Sequence, residues 1–143
     1  MSLTQCTAVG FDGTLGSEVG TLAEKWTGSA WAFQLTPNPA VTKWLSGLSS
    51  VGCTGAAACT AVGAAITTTG NAQELLAEHW NGTRWTIEFP PNPADMEPTM
   101  NGVNCPTSTT CEAVGFYVNG SGTQRPLAER WSRNTWSIQS TPG

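Results

Sequence analysis

An all-β fold built from a four-stranded antiparallel unit, written three times, is predicted by three observations. The segment LAEHWNGTRW at residues 76–85 recurs as LAEKWTGSAW at 22–31 and as LAERWSRNTW at 127–136. A second motif keeps the same period of about fifty: CTAVGF from Cys6, CTAVGA from Cys59 and CEAVGF from Cys111. Thirdly, only 11% of the 143 residues are charged, against about 25% in an average soluble protein, while Gly, Thr, Ala and Trp are abundant. A fifty-residue period of short antiparallel strands points to a propeller blade, with solenoid and sandwich as the alternatives.

The elements follow in order. Each unit opens on an apolar alternating segment, LSGLSSVGC at 45–53 and MNGVNC at 100–105, which the first unit lacks. The CxAVG strand comes next. Both are made of small residues, as strands crowded near a common axis require. The LAE strand and the strand opened by the second Trp are bulkier and suit the wider outer part. Alternation places Leu22, Glu24 and Trp26 on one face, as it does Leu76, Glu78 and Trp80, and Leu127, Glu129 and Trp131. Thr27-Gly28 and Asn81-Gly82 read as hairpin connections, and Ser132, Arg133 and Asn134, without glycine, as a looser one. A proline-rich stop ends each unit: TPNPA at 36–40, PPNPA at 90–94 and STPG at 140–143. The chain thus reads as one repeat domain over 1–143, with blades at about 1–40, 41–94 and 95–143.

Each Trp can bury on the order of 200 Å², worth about 5 kcal/mol as an upper estimate. Trp26, Trp31, Trp80, Trp85, Trp131 and Trp136 are therefore assigned to packing within and between blades. Trp44 falls outside the repeated pairs and is read as irregular packing.

Cys53 and Cys59, and Cys105 and Cys111, are spaced alike, with five residues between, and look like two short disulfides worth roughly 2 kcal/mol each. Zinc is the rival reading, but His79 is the single histidine and metal pairs are usually spaced more closely. Cys6 takes the place of Cys59 and Cys111 without a partner, and is expected to be a free or intermolecular thiol. Disulfides imply an oxidising compartment, so the expected location is secreted or extracytoplasmic.

The paired Cys, AVG and doubled Trp resemble bacterial propeller repeats, common in secreted actinobacterial proteins, of the form CxAVG then LAExWNGxxW then PNP. The resemblance is distantly kelch-like and covers nearly the whole chain. It implies a propeller architecture, while the third turn, the unpaired Cys6 and the number of units depart from the pattern. Three units are fewer than the four to eight blades that close a ring. The expected partner is a second copy completing a six-bladed ring, or further repeats of a longer chain.

Net charge −4, with six basic residues, supplies no patch for a phosphate backbone, and no apolar run reaches membrane-helix length. No cofactor, metal site or catalytic residue is expected. With one His79, one Tyr117 and four scattered arginines (Arg84, Arg125, Arg130, Arg133), copper-oxidase and sialidase sites lack their residues. Glu24, Glu78 and Glu129 recur on separate units and are read as local hydrogen-bond acceptors, too far apart for a paired-carboxylate site. His79 alternates with Lys25 and Arg130 and reads as a solvated polar position. Asp12, Glu18, Asp95 and Glu97 lie in connections and lack the regular ladder of a calcium loop. The expected function is a non-enzymatic binding or scaffold module for a glycan or an extracellular protein. The alternative is a polysaccharide-acting hydrolase or lyase whose site forms only in the assembled ring.

Overall fold

The computed structural model describes residues 5–14, 18–39, 42–67, 72–94 and 96–142. Eleven strands among them form three antiparallel sheets in chain order. The first contains β1 (Thr7–Gly13), β2 (Val19–Trp26) and β3 (Trp31–Gln34). The second runs β4 (Thr42–Gly55), β5 (Ala58–Thr67), β6 (Gln73–Trp80) and β7 (Trp85–Glu88), and the third β8 (Met96–Thr107), β9 (Thr110–Val118), β10 (Gln124–Ser132) and β11 (Thr135–Ile138). Every strand pairs with its sequence neighbour, so each sheet is an up-and-down meander.

The doubled tryptophans are cross-strand pairs. Trp26 lies opposite Trp31, Trp80 opposite Trp85 and Trp131 opposite Trp136, each across the hairpin that closes its unit. In the first two hairpins a polar side chain closes a four-residue loop. Asn81 Oδ1 accepts from the backbone N–H groups of Thr83 and Arg84, both at 3.0 Å, and the Thr27 hydroxyl donates to the Ala30 carbonyl at 2.9 Å and accepts from the Ala30 N–H at 3.2 Å. The third hairpin corrects the expectation of a looser turn. Arg133 and Asn134 both take positive φ, 52° and 65°, which is the two-residue turn whose twist matches paired strands, and the ladder continues to Ser132 opposite Thr135.

The AVG glycine has a steric cause. A Cβ on Gly63 would be driven into the Gly47 carbonyl oxygen of β4, and one on Gly115 into the Thr99 carbonyl oxygen of β8, beside the irregular register where those inner strands bulge. Gly10 meets nothing within 4 Å, because no fourth strand pairs with β1 among the described residues. Asp12 and Glu97, expected in connections, lie instead in β1 and at the start of β8, where Pro98 is tolerated because β8 is an edge strand. Asp95 lies outside the described residues, as does the side chain of Trp44.

The prolines end the outer strand, and the Asn between them does a second job. Asn38 Oδ1 accepts from the Thr21 N–H and Asn92 Oδ1 from the Leu75 N–H, both at 2.8 Å. The third unit has no such Asn. Its position matching Thr21 and Leu75 is Pro126, which has no N–H to satisfy. Asn92→Ala is accordingly expected to orphan the donor of the fully buried Leu75 and to destabilise the fold by about 1–3 kcal/mol in urea unfolding.

The sheets stack face to face. Leu76, Ala61, Ala65, Cys59 and Trp85 of the second sheet pack on Ala23 of the first, and Leu127, Ala113, Cys111, Trp131 and Trp136 of the third pack on Val62, Leu75 and Ala77 of the second. The LxExW face of each sheet thus looks back at the preceding sheet. The inner strands come close: a Cβ on Gly52 of β4 would sit 3.3 Å from the Val103 carbonyl oxygen and the Cys105 nitrogen of β8. Indole rings fill the outer part of the same interfaces. Trp85, Trp131 and Trp136 are buried, Trp26 and Trp80 are half-buried, and Trp31, on the open back of the first sheet, is 48% exposed.

Disulfides join Cys53 to Cys59 and Cys105 to Cys111, tying each inner strand to its neighbour, and fit an oxidising, extracellular-type environment. Cys6 is a free, exposed thiol. Among the described residues no helix is long and apolar enough to cross a membrane.

Candidate functional site between the second and third sheets

A groove of about 300 Å³ opens where β5, β6 and β7 face the third sheet, with His79, Glu88, Thr60 and Trp131 at its centre. Alternation on β6 turns His79 away from Glu78 and toward the third sheet. Its ring lies against Trp131, 4.2 Å between centroids. Nδ1 is 2.9 Å from the Thr60 hydroxyl on β5, and Nε2 is 3.3 Å from Glu88 Oε2 on β7. Glu88 also accepts from the Trp136 indole N–H at 2.8 Å. Burial pulls the Glu88 carboxyl up, but the His79 hydrogen bond and charge and the indoles of Trp136 and Trp131 outweigh it and leave the group below the usual carboxylate range. Thr60 in turn meets the Cys111 sulfur at 3.2 Å.

His79 is therefore not the solvated position that its Lys and Arg counterparts suggest. Its side chain is 15% exposed and locked between two sheets. The Thr60, His79 and Glu88 chain has the order of a hydroxyl, base and acid relay. The hydroxyl is 3% exposed and wedged against a disulfide, so the arrangement fixes the imidazole and the indole rather than presenting a nucleophile. The groove between the first and second sheets repeats the plan in plainer form, about 400 Å³, with Thr7 for Thr60, Lys25 for His79 and the Cys53 bridge for Cys105.

Glu78 and Glu129 are not the local hydrogen-bond acceptors that the repeat suggests. Glu78 and Glu129 are 0% exposed, and their oxygens have no hydrogen-bond partner beyond a weak contact of Glu78 with the Thr21 hydroxyl of the first sheet. Burial pushes Glu78 up to about 7, against that small opposing contact, and Glu129 up to about 8. Each lies within an interface, shut off from the grooves. Glu24, the third copy, lies half-buried on the open back of the first sheet.

Glu88 and Thr60 escaped sequence reasoning. One signal for Glu88 was present: the position three residues after the second Trp is polar in every unit, Gln34, Glu88 and Gln139. No family model, curated protein or solved structure matches the chain.

Proposed function

We propose that the chain forms part of a β-propeller exported to an oxidising compartment, and that it binds a glycan in the grooves between blades without transforming it. The observation that carries this reading is the division of the interfaces into a small-residue inner part and an indole-filled outer part. Between the second and third sheets backbone meets backbone at the inner strands, where Gly52 lies against β8, while indoles fill the outer part, Trp80 and Trp85 in the first interface and Trp131 and Trp136 in the second. Sheets stacked in this way turn about an axis on the small-residue side, which is how blades surround a centre. The two disulfides support an extracytoplasmic location.

Binding rather than catalysis is supported by where the acids are. Glu78 and Glu129 are sealed inside the stack, and Glu88 is occupied by His79 and Trp136. The groove mouth offers the Asn81 and Asn134 amides and the Thr107 and Ser108 hydroxyls around the Trp131 edge, the mixture of hydrogen-bonding groups and aromatic surface that suits a sugar ring. The alternative, a hydrolase or lyase acting on polysaccharide, is opposed by the burial of the Thr60 hydroxyl against the Cys111 sulfur. Product analysis after incubation with oligosaccharides separates the two, since binding alone leaves chain lengths unchanged. On a glycan array, wild-type protein is expected to retain oligosaccharides and Ser108→Trp, which fills the groove from its exposed rim, to lose them. Wild-type signal at background for every glycan would end the proposal.

A further inference from the structure

We infer that a second copy of this chain covers both open faces of the stack, the third sheet of each copy seated on the first sheet of the other, so that two chains close a ring of six sheets. The inference rests on the propeller reading and names the partner that completes it. Its basis is that the same two faces already meet twice within one chain. At each internal interface the front of one sheet receives the back of the next.

What is left over is one front and one back. On the front of the third sheet Val114 is 56% exposed, whereas its counterpart Val62 is fully buried against Ala113 and its neighbours. On the back of the first sheet Trp31 is 48% exposed, whereas Trp85 and Trp136 are buried; Phe33 is 75% exposed, against 45% for Ile138 and a half-buried Ile87. The two free faces are also matched in their polar groups. Arg130, held by Glu112, stands where His79 stands and would lie over Trp26 of the other copy as His79 lies over Trp131. Glu24 would come against Pro126, as Glu78 comes against Thr21.

Area and number agree. The chain exposes 8145 Å², against roughly 7,000 Å² for a compact monomer of its mass. The excess is of the size that one partner buries in a stable interface, about 800 Å². The three sheets of the described residues, doubled, make six, within the four to eight blades of closed propellers.

The test is light scattering on the chain up to about 100 µM, with two surface variants. Wild type is expected at twice the 15.0 kDa chain mass. Val114→Arg and Phe33→Asp each place a charge in one half of the contact and are expected to weaken association on the order of 100-fold. Both side chains are exposed in the single chain, so circular dichroism and melting of the separated variants should show the strand content unchanged. A wild-type monomer at the highest concentration, an assembly other than two chains, or a dimer indifferent to both variants would overturn the inference. Small-angle scattering of the Val114→Arg monomer reports separately on the propeller reading: a curved arc keeps it and a straight stack ends it, whatever mass the wild type shows.

Discussion

Gly63→Ala is expected to cost about 3 kcal/mol or more and to leave much of the protein unfolded at 37 °C, with Gly115→Ala equivalent and Gly10→Ala nearly silent. The three glycines occupy one repeat position, and sequence alone treats them alike. In the second and third sheets an inner strand bulges over the glycine, bringing the Gly47 and Thr99 carbonyl oxygens to where a methyl group would sit. Neither neighbour can give way, because both are backbone within a paired ladder. The space over Gly10 is open, so alanine there should stay within about 0.5 kcal/mol of wild type, or gain slightly through a less flexible unfolded chain. Urea unfolding of the three variants checks this. Equal losses at all three positions would contradict the steric account.

The second large effect is on pH. Glu78 and Glu129 bind a proton more tightly in the folded protein than in the unfolded chain, where a carboxyl titrates near its ordinary value of 4.5. The resulting stability is fully present below that value and is lost as pH rises through about 7 and about 8. Glu88 acts in the opposite sense: its folded value is depressed, so its contribution is present above the ordinary carboxylate range and fades as pH falls through the folded value. Stability should therefore peak near the ordinary carboxylate value, at about pH 4–5. Between about pH 5.5 and 8.5 the expected loss is roughly 2–5 kcal/mol, or roughly 5–15 °C in melting temperature. Glu129→Gln keeps the shape and removes the charge. It is expected to raise the melting temperature at pH 8.5, to change it little at pH 5.5, and so to flatten the profile. A profile that rises from pH 5.5 to 8.5, or one that Glu129→Gln leaves unchanged, would count against a neutral buried carboxyl.

The strands were legible because they depend on neighbours in sequence. Two Trp five residues apart are what a cross-strand pair across a short hairpin leaves in a sequence, and two Cys six apart are what a bridged turn between inner strands leaves. The site was legible only in part. His79 and Trp131 stood out, but Thr60 and Glu88 come from other strands and meet His79 only through the pairing of β5, β6 and β7. The repeated glutamates misled because a polar residue in a strand is expected to find a partner, and here the stacked faces shut Glu78 and Glu129 away from nearly all of them. The Asn of each PNP was hidden by the prolines beside it, whose role as a stop was sufficient to explain the motif.

The claim on which the rest depends is that each indole-bearing face is covered by the sheet before it, within the chain or from a second copy. Hydrogen exchange at the indole N–H groups, followed by NMR from about 5 µM to 500 µM protein, tests it most directly. Trp136, bonded to Glu88, should exchange slowly at every concentration, whereas Trp31 should exchange freely when dilute and become protected as the chains associate. Fast exchange at Trp136, or a Trp31 signal that never responds to concentration, would contradict the account.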